Sequence, residues 1–257
     1  MKIMLIQAEP CDDIQDFNFP MGYAALDSVL TKNGHSAEIV FTIAYHLRDA
    51  DIAARVRESD TNIFGIGGMW PYLKRVEGLV KLIRETRKDA VIILGGWMST
   101  YLPELVLKKT GADFIIAGEG ELALLHLMNA IRDKKDYSEI RGLVYYESGK
   151  IHNNGMGEMM PLDEIPMPNW HKFPMEYYLR VGAYFNSFAS GYDRVMGWAT
   201  SRGCPSKCNF CTPGRPRYKK ISRITDELRE IVDRFHPSFF YSPVLSDVFR
   251  RNNLSWP

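Results

Sequence analysis

The chain has almost no net charge: 32 basic residues stand against 31 acidic ones over 257 positions, for a formal charge of +1. A protein whose main partner is nucleic acid gathers a basic excess on one face or in one segment, and here the two signs are interspersed. The short cluster Arg215-Pro216-Arg217-Tyr218-Lys219-Lys220 reads as a solvated loop rather than a phosphate-binding patch. Long apolar runs are missing as well. Ala90-Val91-Ile92-Ile93-Leu94 and Phe114-Ile115-Ile116-Ala117 have strand length, far short of the roughly 20 residues of a membrane-spanning helix. Met1-Lys2-Ile3-Met4-Leu5-Ile6-Gln7 is too short in its apolar part for a signal peptide and has no cleavage-type ending. Neither nucleic acid nor a membrane is therefore expected as a partner, and a cytoplasmic location is. Cysteine is scarce, with four in all. Cys11 stands alone, while Cys204, Cys208 and Cys211 crowd together, unlike the spread of a small secreted disulfide scaffold. An apolar fraction of 46% excludes intrinsic disorder.

What is present has a clear rhythm. Over the first 135 or so residues, short apolar runs alternate with helical patterns. Strands are expected at 2–7, 37–42, 62–66, 91–94 and 114–117, and helices at 22–32, 49–58, 72–88, 103–109 and 121–132. Five repeats of strand then helix imply a parallel sheet with helices on both faces, and the strands read as continuous apolar runs, as doubly buried strands do. From about Ile140 the pattern changes. Residues 143–146 and 150–152 read as a β-hairpin turning at Ser148-Gly149. Pro161, Pro166, Pro168 and Pro174 mark an extended linker. A strand near 196–200 then leads into the cysteines, followed by a helix at 225–235 and a strand at 238–241.

Three of the parallel strands end in glycine-rich turns: Gly67-Gly68-Met69-Trp70, Gly95-Gly96-Trp97 and Gly118-Glu119-Gly120-Glu121. In an open parallel sheet, ligands bind outside the carboxyl ends of the strands, and glycine lets a ligand approach the backbone closely. The three turns would line one wide, shallow site. No G-x-G-x-x-G follows the first strand and no P-loop is present, so a dinucleotide fold of the usual kind is a poor fit. Glu119 and Glu121 either offset the dipole of the helix they open or, for Glu119, accept hydrogen bonds from a ligand.

With Pro20-Met21-Gly22-Tyr23 and Gly34-His35 added to those turns, residues 1–135 resemble the cobalamin-binding domain that precedes the catalytic domain of many radical SAM enzymes. The Asp-x-His-x-x-Gly motif, whose histidine ligates cobalt in other corrinoid proteins, does not occur. His35 lacks the aspartate two positions earlier and is expected as a surface residue after a helix cap. The resemblance implies cobalamin held without a protein histidine ligand, by Gly67, Gly68, Met69, Trp70, Gly95, Gly96, Trp97, Gly118, Glu119, Gly120 and Glu121.

The C-x₃-C-x₂-C spacing of Cys204, Cys208 and Cys211 can supply thiolates to three irons of a [4Fe–4S] cluster and leave the fourth open. A structural zinc site would want a fourth ligand, and neither His171 nor His236 has a convincing spacing. With Phe210 before the last cysteine, the segment closely resembles the radical SAM signature. That resemblance implies that Cys204, Cys208 and Cys211 bind iron, that Phe210 lies beside the adenine of S-adenosylmethionine, and that a 5′-deoxyadenosyl radical is formed. Together the two resemblances imply an α/β chain in three parts. A five-stranded Rossmann-like (flavodoxin-like) cobalamin domain covers 1–135, a hairpin and Pro-rich linker 136–194, and the first part of a radical SAM (β/α) barrel 195–257. The implied activity is methyl transfer from S-adenosylmethionine through methylcobalamin to a carbon centre of a small molecule, with a flavodoxin or ferredoxin as electron donor.

A barrel of this type needs on the order of 180 residues at about 30 per strand–helix unit, and 46 follow Cys211. The barrel is therefore expected to be incomplete: a fragment, a natural truncation, or a barrel completed by a partner chain. Three alternatives stay open. They are a non-catalytic corrinoid-binding module, a cyclase or rearrangement enzyme of the same family, and a flavodoxin-like domain for another ligand.

Overall fold

In a computed structural model of the chain, residues 1–9, 19–181, 193–205, 209 and 214–241 are described. They divide into two compact units, Met1–Asp16 with Gly22–Met160, and Phe17–Met21 with Pro161–Pro257.

The first unit is built on β1 (Lys2–Gln7), β2 (Ser36–Val40), β3 (Ile63–Gly67), β4 (Val91–Gly95) and β5 (Phe114–Ile116). All five run parallel, in the spatial order β2-β1-β3-β4-β5. The expected hairpin forms as β6 (Leu143–Glu147) and β7 (Lys150–Asn153). Ser148 and Gly149 both adopt positive φ at its turn, which matches the twist of the flanking strands. The hairpin does not stand apart from the parallel strands. β6 pairs antiparallel with β5, so the sheet has seven strands rather than five.

Between the strands lie α1 (Met21–Lys32), α2 (Asp49–Glu58), α3 (Leu73–Thr86), α4 (Trp97–Tyr101), α5 (Pro103–Thr110) and α6 (Gly120–Asp133). Met4, Ile6, Phe64, Ile66, Ile92 and Leu94 share one core with Ile52 and Val56 of α2, Val76, Leu79 and Ile83 of α3, and Val106 and Leu107 of α5. Strand side chains alternate between faces, and the intervening Ile3, Leu5, Ile63 and Ile93 are equally buried. The sheet is therefore covered on both faces, which explains why its strands read as unbroken apolar runs. The chain changes direction across the sheet after β2. Right-handed crossovers then put α1 on the face opposite α2, α3 and α5.

The second unit contains α7 (Met175–Val181), β8 (Val195–Gly197), β9 (Ser201–Arg202), β10 (Arg217–Tyr218), α8 (Ile221–Phe235) and β11 (Phe239–Tyr241). β8 and β11 pair in parallel, with α8 on the connection between them, so one strand–helix–strand unit is in place. The proline-rich stretch is not a bare linker. Trp170, Phe173 and Tyr178 are buried and pack within 6 Å, ring centre to ring centre, of Phe19, while Trp170 also meets Trp198 and Phe235. The aromatics at 170–178 are thus part of this unit's own core.

Phe64 is fully buried at the centre of the first unit. Phe64→Ala is expected to lower stability by about 3–5 kcal/mol, read as a lower urea midpoint at unchanged slope.

Candidate functional site

Parallel strands end at one edge, and the crevice between β1 and β3 is where strand order reverses. Ligands of open α/β sheets sit at such a point. The turns after β3, β4 and β5 follow one another along that edge and are tied together by hydrogen bonds. The Gly68 amide donates to the Gly95 carbonyl at 3.3 Å, and the Met98 amide donates to the Gly68 carbonyl at 3.2 Å. The Thr100 hydroxyl donates to the Gly96 carbonyl at 3.0 Å and accepts from the Gly118 amide at 3.3 Å. At the switch point itself the Tyr23 hydroxyl donates to the Ile6 carbonyl at 2.8 Å and accepts from the Gly67 amide at 3.1 Å. Tyr23 stands in Pro20-Met21-Gly22-Tyr23, so the motif was visible in sequence, but nothing local assigned its hydroxyl to a turn 44 residues away.

The glycines of this edge divide by cause. Gly96 is required by the fold: its φ is +86°, and a Cβ would lie 2.7 Å from the Gly68 carbonyl oxygen. Gly95 is different. A Cβ there would meet nothing within 4 Å, so neither packing nor a left-handed conformation demands glycine. Beside it the edge is apolar. Met69, Trp70, Trp97, Tyr101 and Leu102 are exposed large side chains, and Trp97 stacks on Tyr101 at 5.9 Å. Open backbone flanked by exposed aromatics fits a large flat ligand with apolar faces. Gly118 has φ +99° and is packed by Gly157 and Met156, which adds a segment after the hairpin to the rim. Glu121 is buried in the first turn of α6, and Glu119 occupies the position before that helix.

His35 is not a surface residue. It is 4% exposed, with Nε2 2.9 Å from the Asn129 Oδ1 of α6 and Nδ1 facing the Met1 amino group at 3.4 Å. It precedes β2 and so lies at the amino edge of the sheet, opposite the glycine turns. There it packs helices together and is remote from any ligand at the carboxyl edge.

In the second unit Cys204 is half-buried and not in a disulfide. Cys11, Cys208, Phe210 and Cys211 lie outside the described residues. No group of three potential metal ligands occurs among the described residues. The two legs of the cysteine segment are held side by side, since β9 and β10 pair antiparallel and the Lys219 amide donates to the Thr200 carbonyl at 3.0 Å. Gly203 has φ +79°, and a Cβ on it would overlap the Arg215 carbonyl. The legs therefore lie close together at 200–203 and 215–219, and the sequence between them carries three cysteines, a donor set suited to iron–sulfur chemistry.

The B12 binding domain family matches residues 12–128. An uncharacterized methyltransferase of Pyrococcus horikoshii is 30% identical over 216 residues, spanning 81% of this chain and 45% of the relative. The cytidylyl-2-hydroxyethylphosphonate methyltransferase of Streptomyces wedmorensis is 26% identical over 274 residues, spanning 87% of this chain and 51% of the relative. The cobalamin-dependent S-adenosylmethionine radical enzyme OxsB, solved with aqua-cobalamin and S-adenosylmethionine bound, superposes with a TM-score of 0.76. That match is 18% identical and covers 94% of this chain and 34% of OxsB. The chain is similar to B12 binding domains over residues 12–128 and shares its fold with OxsB. It spans about half the length of the curated relatives it matches. The glycine turns at the carboxyl edge of the first unit lie within the region that matches the B12 binding domain family. No helix among the described residues is long and apolar enough to cross a membrane.

The two neighbouring glycines of this domain should respond differently to the same substitution. Gly96→Ala forces a side chain into the positive-φ region and onto Gly68, and is expected to cost about 1–3 kcal/mol. Gly95→Ala should change stability by no more than about 0.5 kcal/mol, both measured by urea unfolding.

Proposed function

We propose that this chain is part of a cobalamin-dependent radical SAM enzyme that transfers a methyl group from S-adenosylmethionine, by way of the corrinoid, to a carbon centre of a small molecule. The observation that carries this reading is the presence in one chain of a glycine–aromatic sheet edge and a three-cysteine sequence whose two flanking legs are paired. Methyl transfer is favoured over the other chemistries of the family because both relatives compared above are named as methyltransferases. When bound, the cluster supplies an electron and an open iron for S-adenosylmethionine, and the corrinoid supplies a methyl carrier.

The chain's own contribution divides between the units. Gly67, Gly68, Gly95 and Gly96 present backbone to one side of the corrinoid, with Met69, Trp70 and Trp97 against its apolar surface. The turn 118–121 bounds the same edge, with Glu119 as the acceptor for a polar rim group. Cys204, Cys208 and Cys211 bind iron, and Phe210 packs beside the nucleoside of S-adenosylmethionine. His35 is committed to Asn129 at the opposite edge and would not serve a corrinoid on the glycine turns. Crowded reduced thiols suit the cytoplasm, and a flavodoxin or ferredoxin is the class of electron donor such a cluster uses.

Titration of the full chain with hydroxocobalamin tests the assignment. Trp97→Ala and Gly95→Ala should each weaken binding at least about tenfold, or 1.4 kcal/mol, without loss of stability. Wild-type affinity in both variants would place the corrinoid elsewhere. Cys204→Ala should bind cobalamin normally and fail to retain a cluster after anaerobic reconstitution.

A further inference from the structure

Glu227 of α8 is 1% exposed, and its carboxylate receives three donors. Trp198 Nε1 lies 2.7 Å from Oε2, Lys219 Nζ 2.6 Å from Oε2, and Arg223 Nε 2.7 Å from Oε1. The Lys219 ammonium also sits 4.5 Å from the centre of the Trp198 ring. Burial pulls the Lys219 ammonium below its ordinary pKa, and the Glu227 carboxylate pulls it back up. Such an arrangement costs several kcal/mol in desolvation per ion, and apolar side chains of similar volume often stabilise a core as well or better. Stability alone therefore does not account for it. What it does fix is geometry, because its donors come from separate pieces of chain.

Those pieces are the two roots of the cysteine segment. Trp198 directly follows β8 and precedes Cys204 by six residues, and Lys219 directly follows β10, eight residues after Cys211. From these roots the legs run together, Ser201 opposite Tyr218 and Arg202 opposite Arg217. Arg223 extends the same anchor to the chain before α7 by donating to the Ile165 carbonyl at 2.7 Å. One carboxylate thus sets where both legs start, and hence their register.

We propose that Glu227 is a positioning residue for the three-thiolate site. It locks the two roots of the segment that carries the three cysteines, and so fixes the points from which the cluster ligands are presented. This rests on the cluster assignment made under Proposed function. In sequence the residue looks like an ordinary helix carboxylate. The only sign was its place four residues before Ile231, on the buried face of α8.

The test uses the full chain and two variants, Glu227→Gln and Trp198→Phe, the second removing only one donor while keeping the ring. In the iron-free chain, Glu227→Gln should speed amide hydrogen exchange in residues 199–203 and 215–219 at least about tenfold, the loss of one charge-assisted hydrogen bond. Trp198→Phe should do so to a smaller degree. After anaerobic reconstitution, Glu227→Gln should lose most of its iron and show an increased three-iron signal by electron paramagnetic resonance. Cobalamin binding should be unchanged in both. Wild-type exchange rates in both variants would overturn the proposal, as would faster exchange with full iron and an unaltered spectrum. A wild-type chain that takes up no iron would overturn the cluster assignment itself and this role with it.

Discussion

Gly67 and Gly95 pair in register at the carboxyl ends of β3 and β4, and the candidate cofactor edge depends on that alignment. Because the two strands end level, their turns can exchange backbone hydrogen bonds instead of solvating separately. The exchange between Gly68 and Gly95, and between Met98 and Gly68, makes one continuous platform. Tyr23 fastens that platform to β1 across the gap where strand order reverses. The aromatic side chains that follow each turn are left outside, since the platform itself fills the space a core would occupy. An exposed apolar shelf of this kind usually marks a binding surface.

On the proposed reading, the second unit meets a different constraint. Thiolates arranged around a cluster must converge from separate points of one loop, and short loops do this only if their ends are held. Here a two-residue antiparallel ladder, the positive-φ turn at Gly203 and the buried carboxylate of Glu227 hold them. Polar anchoring suits this purpose better than apolar packing, because hydrogen bonds fix direction as well as proximity.

The parallel strands and most helices of the first unit were legible in the sequence because burial on both faces leaves an unbroken apolar run. The glycine turns were legible for the same reason, as breaks in that pattern. What escaped notice depended on distant partners. The short α4 has a strand-like composition and is helical because its first amides bond to the turns before it. His35 follows a surface-type helix cap, yet is buried by Asn129, 94 residues away. The hairpin was recognised by its turn, but its pairing with β5 is a long-range event. Residues 170–178 read as a linker because their prolines dominate the pattern, whereas three aromatic rings around Phe19 decide their fate. Glu227 escaped because a carboxylate on a helix is ordinarily solvated.

On the proposed reading, one chain holds a corrinoid on the first unit and an iron–sulfur cluster on the second. Cobalt, iron and zinc measured on the same preparation, after anaerobic reconstitution with hydroxocobalamin, ferrous iron and sulfide, test it most directly. About one cobalt and about four irons per chain are expected, the content of one corrinoid and one [4Fe–4S] cluster. Zinc bound in place of iron, with no cobalt retained, would contradict it.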